Sequence, residues 1–146
     1  SFRQTEGKTI ETDILGNIGL IESLTDEITP MGKERIPLIR QRLEQALAEW
    51  SQQPENDKNR LEQELAFYME KIDFNEEIQR LKQHCKYFKE TCNDAAAGRK
   101  LGFIAQELGR EINTLGSKSY HAGIQKKVVE MKDALEKIKE QLLNVL

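Results

Sequence analysis

VVEMKDALEKIKEQLLNV, residues 128–145, sets Val128, Met131, Leu135, Ile138, Leu142 and Val145 at steps of 3, 4, 3, 4 and 3. Alternating steps of three and four keep apolar side chains on one stripe of an α-helix, because 3.6 residues make a turn. A half-buried strand would need steps of two, and no segment of the chain keeps them. The same stripe recurs upstream. Ile78, Leu81, Cys85, Phe88 and Cys92 follow steps of 3, 4, 3 and 4, and Leu101, Ile104, Leu108, Ile112 and Leu115 mark a helix over about 99–115. Leu61, Leu65, Met69 and Ile72 mark another that starts near Asp57, and Asp73 with Glu76 reads as the capping pair of the next. Ile10, Ile14, Ile18, Ile21, Leu24 and Ile28 give a first helix over about 6–28. The expected fold is all-α, a bundle of long antiparallel helices with coiled-coil-like seams.

Punctuation divides this pattern. Thr29-Pro30-Met31-Gly32 and Pro37 are expected to break or kink the first helix before Ile36, Ile39, Leu43, Leu47 and Trp50 resume it. The polar run 51–56, with Pro54, reads as a loop between helices, and 93–98 reads as a further break. Gly116-Ser117-Lys118-Ser119 closes the helix before the last one, which is expected over about 120–146. Residues 1–56 are therefore expected as long linking helices, kinked near 30–37, and residues 57–146 as a C-terminal helical domain.

Composition agrees. Ala, Glu, Lys, Leu and Arg supply 66 of 146 residues, near the half that marks long helices, while Gly and Pro together number 12. That argues against a β-sandwich, and a net charge of −3 with recurrent apolar positions argues against disorder. No apolar run approaches the roughly 20 residues of a membrane span, and the first residues carry no secretory pattern. The chain opens Ser1-Phe2-Arg3 without an initiator Met, so it is expected to be a fragment of a longer, soluble, cytoplasmic protein.

Cys85 and Cys92 would lie about 10 Å apart along a helix, too far for a disulfide. Their place on the apolar seam makes them small core residues, which suits a reducing compartment. Charge is unevenly spread: residues 1–81 carry 10 basic and 17 acidic side chains, residues 82–146 carry 12 and 8. A polyanion would be repelled by the first part and tolerated by the second, although solvated helix faces account for the same pattern.

Two helices carry polar stripes with more pattern than solubility requires. Glu77, Arg80 and His84 stand at i, i+3 and i+7 on one face. Gln106, Glu107, Arg110, Glu111, Asn113, Thr114 and Lys118 line the side of the next helix away from its Leu/Ile seam. If the two helices pair antiparallel, a histidine and up to three carboxylates converge. That donor set suits a divalent cation such as manganese, and flanking Arg and Lys would hold a phosphodiester beside it. The plain alternative is a set of i, i+4 ion pairs on exposed faces. His121, in a loop, is assigned no role. Phe103 and Tyr120 are able to stack on a base but are more simply core or loop packing. No phosphate-cradling glycine loop and no nucleophile motif is present.

GRKLGFIAQELGREINTLGSKS, residues 98–119, resembles the most distinctive motif of the YicC-like endoribonuclease family. RLEQELAFYMEKIDFNEEIQRLKQH, residues 60–84, is similar to the segment before that motif. Residues 128–145 resemble the family's closing helix and residues 5–24 its long linking helix, so the likeness covers nearly the whole chain. It implies the helical C-terminal half of a stress-related bacterial RNA endonuclease, with the family's N-terminal domain absent here. It also implies dependence on a divalent cation, manganese or magnesium, and a homo-oligomeric, hexamer-like assembly acting on RNA. Motif positions are Glu77, Arg80, His84, Arg99, Lys100, Gln106, Glu107, Arg110, Glu111, Asn113, Ser117 and Lys118.

Chemistry suggests roles within that set. Glu77, His84, Glu107 and Glu111 are candidate metal ligands. Glu107, Glu111 and His84 are also the candidate catalytic groups. Arg80, Arg99, Lys100, Arg110, Asn113 and Lys118 are the candidate RNA-binding residues. One position departs from the pattern: the family often has Asp where this chain has Gly102, so if that Asp binds metal or positions water the site here is weakened or uses Glu107 and Glu111 instead, the other reading being a neutral difference within a subfamily. The other expectation is a non-catalytic helical module for oligomerisation or RNA-adaptor work, since long seams pair between chains as well as within one.

Overall fold

The computed structural model describes the backbone of residues 2–50, 58–94 and 97–145. They form five helices: α1 (Phe2–Trp50), α2 (Lys58–Ile72), α3 (Asn75–Thr91), α4 (Gly98–Ser117) and α5 (Ala122–Val145). No strand occurs among the described residues, so the all-α expectation holds. The expected loop at 51–56 lies outside them, as do Ala95 and Ala96 of the expected break before α4. No helix among the described residues is long and apolar enough to cross a membrane.

The N-terminal half of α1 joins α3, α4 and α5 in a four-helix ring in which α1 touches α5 and α3, and α4 touches α3 and α5. Every neighbouring pair is antiparallel. Glu22 meets Lys89 and Asp26 meets Lys82 across α1/α3. Glu27 meets Lys127 and Asp13 meets Gln141 across α1/α5. The apolar seams converge inside: Ile18, Ile21, Ile28, Leu81, Cys85, Phe88, Leu108, Ile112, Leu115, Ile124, Met131 and Ile138 are completely or almost completely buried. Removing these side chains from water is the main stabilising contribution to the bundle. Between α4 and α5, Gly109 and Gly116 permit close approach. A Cβ at Gly116 would lie 3.1 Å from a Val128 methyl, and one at Gly109 would lie 3.3 Å from Leu135.

Both cysteines are free thiols. Cys85 is fully buried and Cys92 half-buried, in keeping with core roles. Burial pushes the Cys85 thiol up to about 12 and the Cys92 thiol up to about 11.

Three local expectations are corrected. First, of the break or kink expected at the two prolines, the break does not occur: α1 is continuous through Pro30 and Pro37. Each proline removes one backbone donor, a local loss. Tertiary anchors on both sides outweigh it, with Ile28 buried below Pro30 and Arg35 buried between the two prolines. Gly32 sits under the ring of Phe74, where an added Cβ would come within 2.8 Å of the ring.

Second, α2 buries only Leu65 and Ile72. Met69, expected on the same seam, is 40% exposed, because α2 packs on α1 alone and has no second neighbour to cover that side. The C-terminal part of α1 and α2 thus form an antiparallel arm beyond the four-helix ring, tied by Arg40 to Glu62 at 2.8 Å.

Third, Asp73 and Glu76 do not form a reciprocal capping box. The Asp73 carboxylate accepts the Asn75 N–H at 2.9 Å, while Glu76 turns to Arg80 at 3.1 Å.

Candidate functional site

The α3/α4 pairing follows from two seams of equal period, and the polar residues at their edges are carried along with it. Glu77 lies one turn before Leu81 and Glu111 immediately before Ile112, so each is drawn to the margin of the core. Both carboxylates are buried, with Glu77 3% and Glu111 5% exposed. A buried carboxylate needs a partner, and each receives one from the facing helix or its end. Lys118 Nζ donates to Glu77 Oε1 at 2.6 Å. Arg80 Nη1 lies 3.7 Å from Glu111 Oε2 while its Nη2 donates to Glu76. Glu77 Oε2 is buried without a hydrogen-bond partner.

The structure thus brings together four of the residues singled out by sequence: Glu77, Arg80, Glu111 and Lys118. It does not tie in the others. Glu107 is half-buried and lies 4.0 Å from Arg110 on its own helix. His84 is half-buried and makes no ion pair among the described residues. Arg99, Lys100 and Asn113 are exposed along α4. Thr114 and Ser117 turn their hydroxyls to backbone carbonyls of α4 itself, those of Arg110 and Thr114. Among the described residues, no three His, Cys, Asp or Glu side chains gather closely enough to hold a metal ion.

Gly102 stands nine residues before Glu111, two and a half turns, and therefore on the opposite side of α4. Open space surrounds the position of its missing Cβ. An Asp at 102 would point away from the α3/α4 face, so its absence removes no ligand from that face. His121 has a structural task. Its Nδ1 accepts the Ile124 N–H at 3.2 Å at the start of α5, and its Nε2 lies 3.5 Å from Glu34.

Arg35 is the residue that sequence reasoning missed. It is 5% exposed and has no carboxylate within ion-pair distance among the described residues. Its Nη1 donates to the carbonyls of Ile72 at 3.0 Å, Lys118 at 2.7 Å and Ser119 at 3.2 Å, and its Nε donates to Gly32 at 2.9 Å. The guanidinium also lies 4.3 Å above the Phe74 ring. It therefore caps the C-terminal ends of α2 and α4, where unpaired carbonyls and the helix dipole favour a cation. Burial lowers its pKa, partly offset by Asp73. The clamp fixes the Lys118 backbone, from which the ammonium reaches Glu77. It also holds the turn that follows, where Tyr120 adopts φ 45°, a left-handed conformation that is costly for a residue with a Cβ. The signal was present in the sequence: Arg35 lies seven residues after Ile28, on the core seam itself.

Comparisons with known proteins identify the family. The family model described as "Endoribonuclease YicC-like, C-terminal" matches residues 28–146. A protein of Clostridioides difficile (strain 630) named "Probable endoribonuclease YicC" is 39% identical over 146 residues, covering 99% of this chain and 50% of its own. A protein of the same name from Haemophilus influenzae is 36% identical over 149 residues, with the same two shares. The chain spans about half the length of these curated relatives.

Proposed function

The chain belongs to the YicC-like endoribonuclease family, and from that premise we propose that it is the helical part of an enzyme that cleaves RNA internally, with the chemistry at the α3/α4 face. The observation that carries this reading is the pair of buried carboxylates, Glu77 and Glu111, each set against a cation from the facing helix or its end. A solvated face of ordinary ion pairs would not bury its acids, because desolvating a charge costs more than an exposed pair returns. In the proposed reaction, Arg80, Arg110 and Lys118 hold the scissile phosphate, with Arg99, Lys100 and Asn113 guiding the strand. Glu107 or Glu111 would accept the proton of the attacking hydroxyl or water, and His84 would return a proton to the leaving oxygen.

A divalent cation, manganese or magnesium, belongs to the proposal. Glu77, Glu111, Glu107 and His84 would hold it, and when bound it would acidify a water and offset phosphate charge. Donor chemistry supports the reading, as does the unpartnered buried oxygen of Glu77, but among the described residues no three of these groups stand close enough to hold the ion together, so the site would have to close around it. The remaining proposals are a homo-oligomeric, hexamer-like assembly and a cytoplasmic setting.

The test uses the full-length protein that contains this chain, with a structured RNA and manganese, magnesium or EDTA, and maps the product ends. Cleavage that EDTA abolishes and that Glu107→Gln with Glu111→Gln removes is the expected result. Cleavage indifferent to EDTA would overturn the metal assignment, and cleavage by the folded double variant would overturn the site.

A second reading, a helical oligomerisation or RNA-adaptor module, is favoured by the exposed Leu38, Phe67 and Met69 of the arm. Light scattering distinguishes it: substitution of those three by Ser would dissolve the assembly in that reading.

A further inference from the structure

Leu101, Ile104, Ala105 and Leu108 fill the inner side of the first half of α4, so the core takes all it needs from this segment. Phe103 lies between them in sequence and is 68% exposed. It is not core, contrary to the simplest sequence reading. Lys100 stands three residues before it, Arg99 four before, and Arg110 seven after, so cations share its stripe of the helix. Glu107 is the single acid on that stripe. On α3, Tyr87 lies seven residues beyond Arg80 on the same side and is 46% exposed. Two open rings thus stand toward one end of the face that carries the buried carboxylates at the other.

We propose that Phe103 and Tyr87 form a base-stacking platform for single-stranded RNA, next to the carboxylate pair on the α3/α4 face. The proposal rests on the endoribonuclease reading and adds the substrate class. Stacking needs a base with a free π-face, which a duplex does not offer to a side chain, and cations beside the ring engage the backbone. Phe103 is eight residues from Glu111, about 12 Å along the helix. At about 3.4 Å per stacked nucleotide, that spans three to four nucleotides. The platform therefore grips the strand a few positions from the bond that is cut; Arg110 lies along that interval to take an intervening phosphate, and Lys100 and Arg99 take phosphates beyond the ring.

The experiment uses the full-length protein in EDTA and a fluorescently labelled 2′-O-methyl oligoribonucleotide, free or annealed to its complement, so that neither 2′-hydroxyl nor cation-activated water attack cuts the probe. Wild type is expected to prefer the single strand. Phe103→Ala and Phe103→Leu each weaken its binding about tenfold, and Phe103→Tyr restores it to within about twofold, because only an aromatic ring stacks on a base. Tyr87→Leu behaves like Phe103→Leu. Far-ultraviolet circular dichroism and light scattering show each variant folded and unchanged in assembly. If Phe103→Leu binds as wild type does, or changes the oligomeric state instead of the affinity, the platform is wrong while the endoribonuclease reading stands. A wild type that neither binds nor cuts RNA overturns both.

Discussion

Replacing Arg35 by Ala tests the clamp at the end of the bundle. The substitution removes four hydrogen bonds to carbonyls and the contact with the Phe74 ring. Charge-assisted bonds contribute about 1.5–3 kcal/mol each where well formed, and a partly desolvated cation–π contact about 1–2, but three of these bonds share the two hydrogens of one nitrogen. Against this stands the desolvation of the guanidinium, which lowers its pKa and which the variant no longer bears. Water entering the cleft lined by Gly32, Ile36 and Phe74 would also satisfy some of the carbonyls. The expected loss is therefore about 2–4 kcal/mol rather than the sum of the bonds. For a chain of this size about 2–4 °C of Tm goes with each kcal/mol, so Tm falls by roughly 4–16 °C. Arg35→Lys should recover less than half, since one ammonium cannot serve carbonyls of α1, α2 and the α4–α5 turn together. Thermal unfolding followed at 222 nm and urea midpoints give the numbers. A Tm within about 2 °C of wild type for Arg35→Ala would show that the carbonyls need no guanidinium and that Arg35 is not a clamp.

The other expectations concern separate features. Lys118→Met leaves the buried Glu77 with neither oxygen paired to a protein group, at a loss of about 2–3 kcal/mol, less than usual because Lys118 is partly open to water. Adding Glu77→Gln should return part of it, and a double-mutant cycle in urea gives the coupling. Cys85 is raised from its ordinary 9.0 to about 12. The stability this thiol lends is full below pH 9 and declines as pH climbs toward 12, by up to ~1.4 kcal/mol per unit, because the unfolded chain ionises first. Urea midpoints at pH 8 and pH 10.5 should diverge less in Cys85→Ala than in wild type. Gly102→Asp should leave Tm within about 2 °C, and RNA cleavage by the full-length protein within about twofold, because its side chain points away from the α3/α4 face.

Period carried most of the fold. The seams of α3, α4 and α5 were legible because every member of each stripe meets the same core, and burial then follows spacing. The same period placed Glu77, Arg80, Glu111 and Lys118 together, since residues flanking two paired seams must meet once the helices run antiparallel. It misled where packing is one-sided. Met69 keeps the step of its seam, but α2 has only α1 beside it, and a stripe with one neighbour buries half of itself. Pro30 and Pro37 misled for a different reason: a proline reports the loss of one donor locally, whereas continuity of α1 is decided by Arg35, Gly32 and Phe74, two of them distant in sequence from the third. Phe103 shows the same limit from the other side. An aromatic residue reads as core from its chemistry, and only the fact that Leu101, Ile104 and Ala105 already fill the seam leaves it outside.

Arg35 also explains why two features far apart in sequence belong to one mechanical unit. Ile72 is the last residue of α2, and α2 is the outer member of the arm; Lys118 is the residue after α4 and holds Glu77. One nitrogen, Nη1, takes a carbonyl from each. A shift of α2 along α1 therefore cannot leave the end of α4 undisturbed: either Nη1 abandons the Ile72 carbonyl, orphaning a buried acceptor, or it follows and drags the Lys118 backbone. The side chain of Lys118 has an exposed length to absorb some of that motion, but Glu77, at 3% exposure, has none. The stiff member of the pair is the acid, fixed on the core seam, and the adjustable member is the cation, fixed on the clamp. Lengthening the 2.6 Å contact is thus the first consequence of moving the arm, ahead of any change in the bundle core.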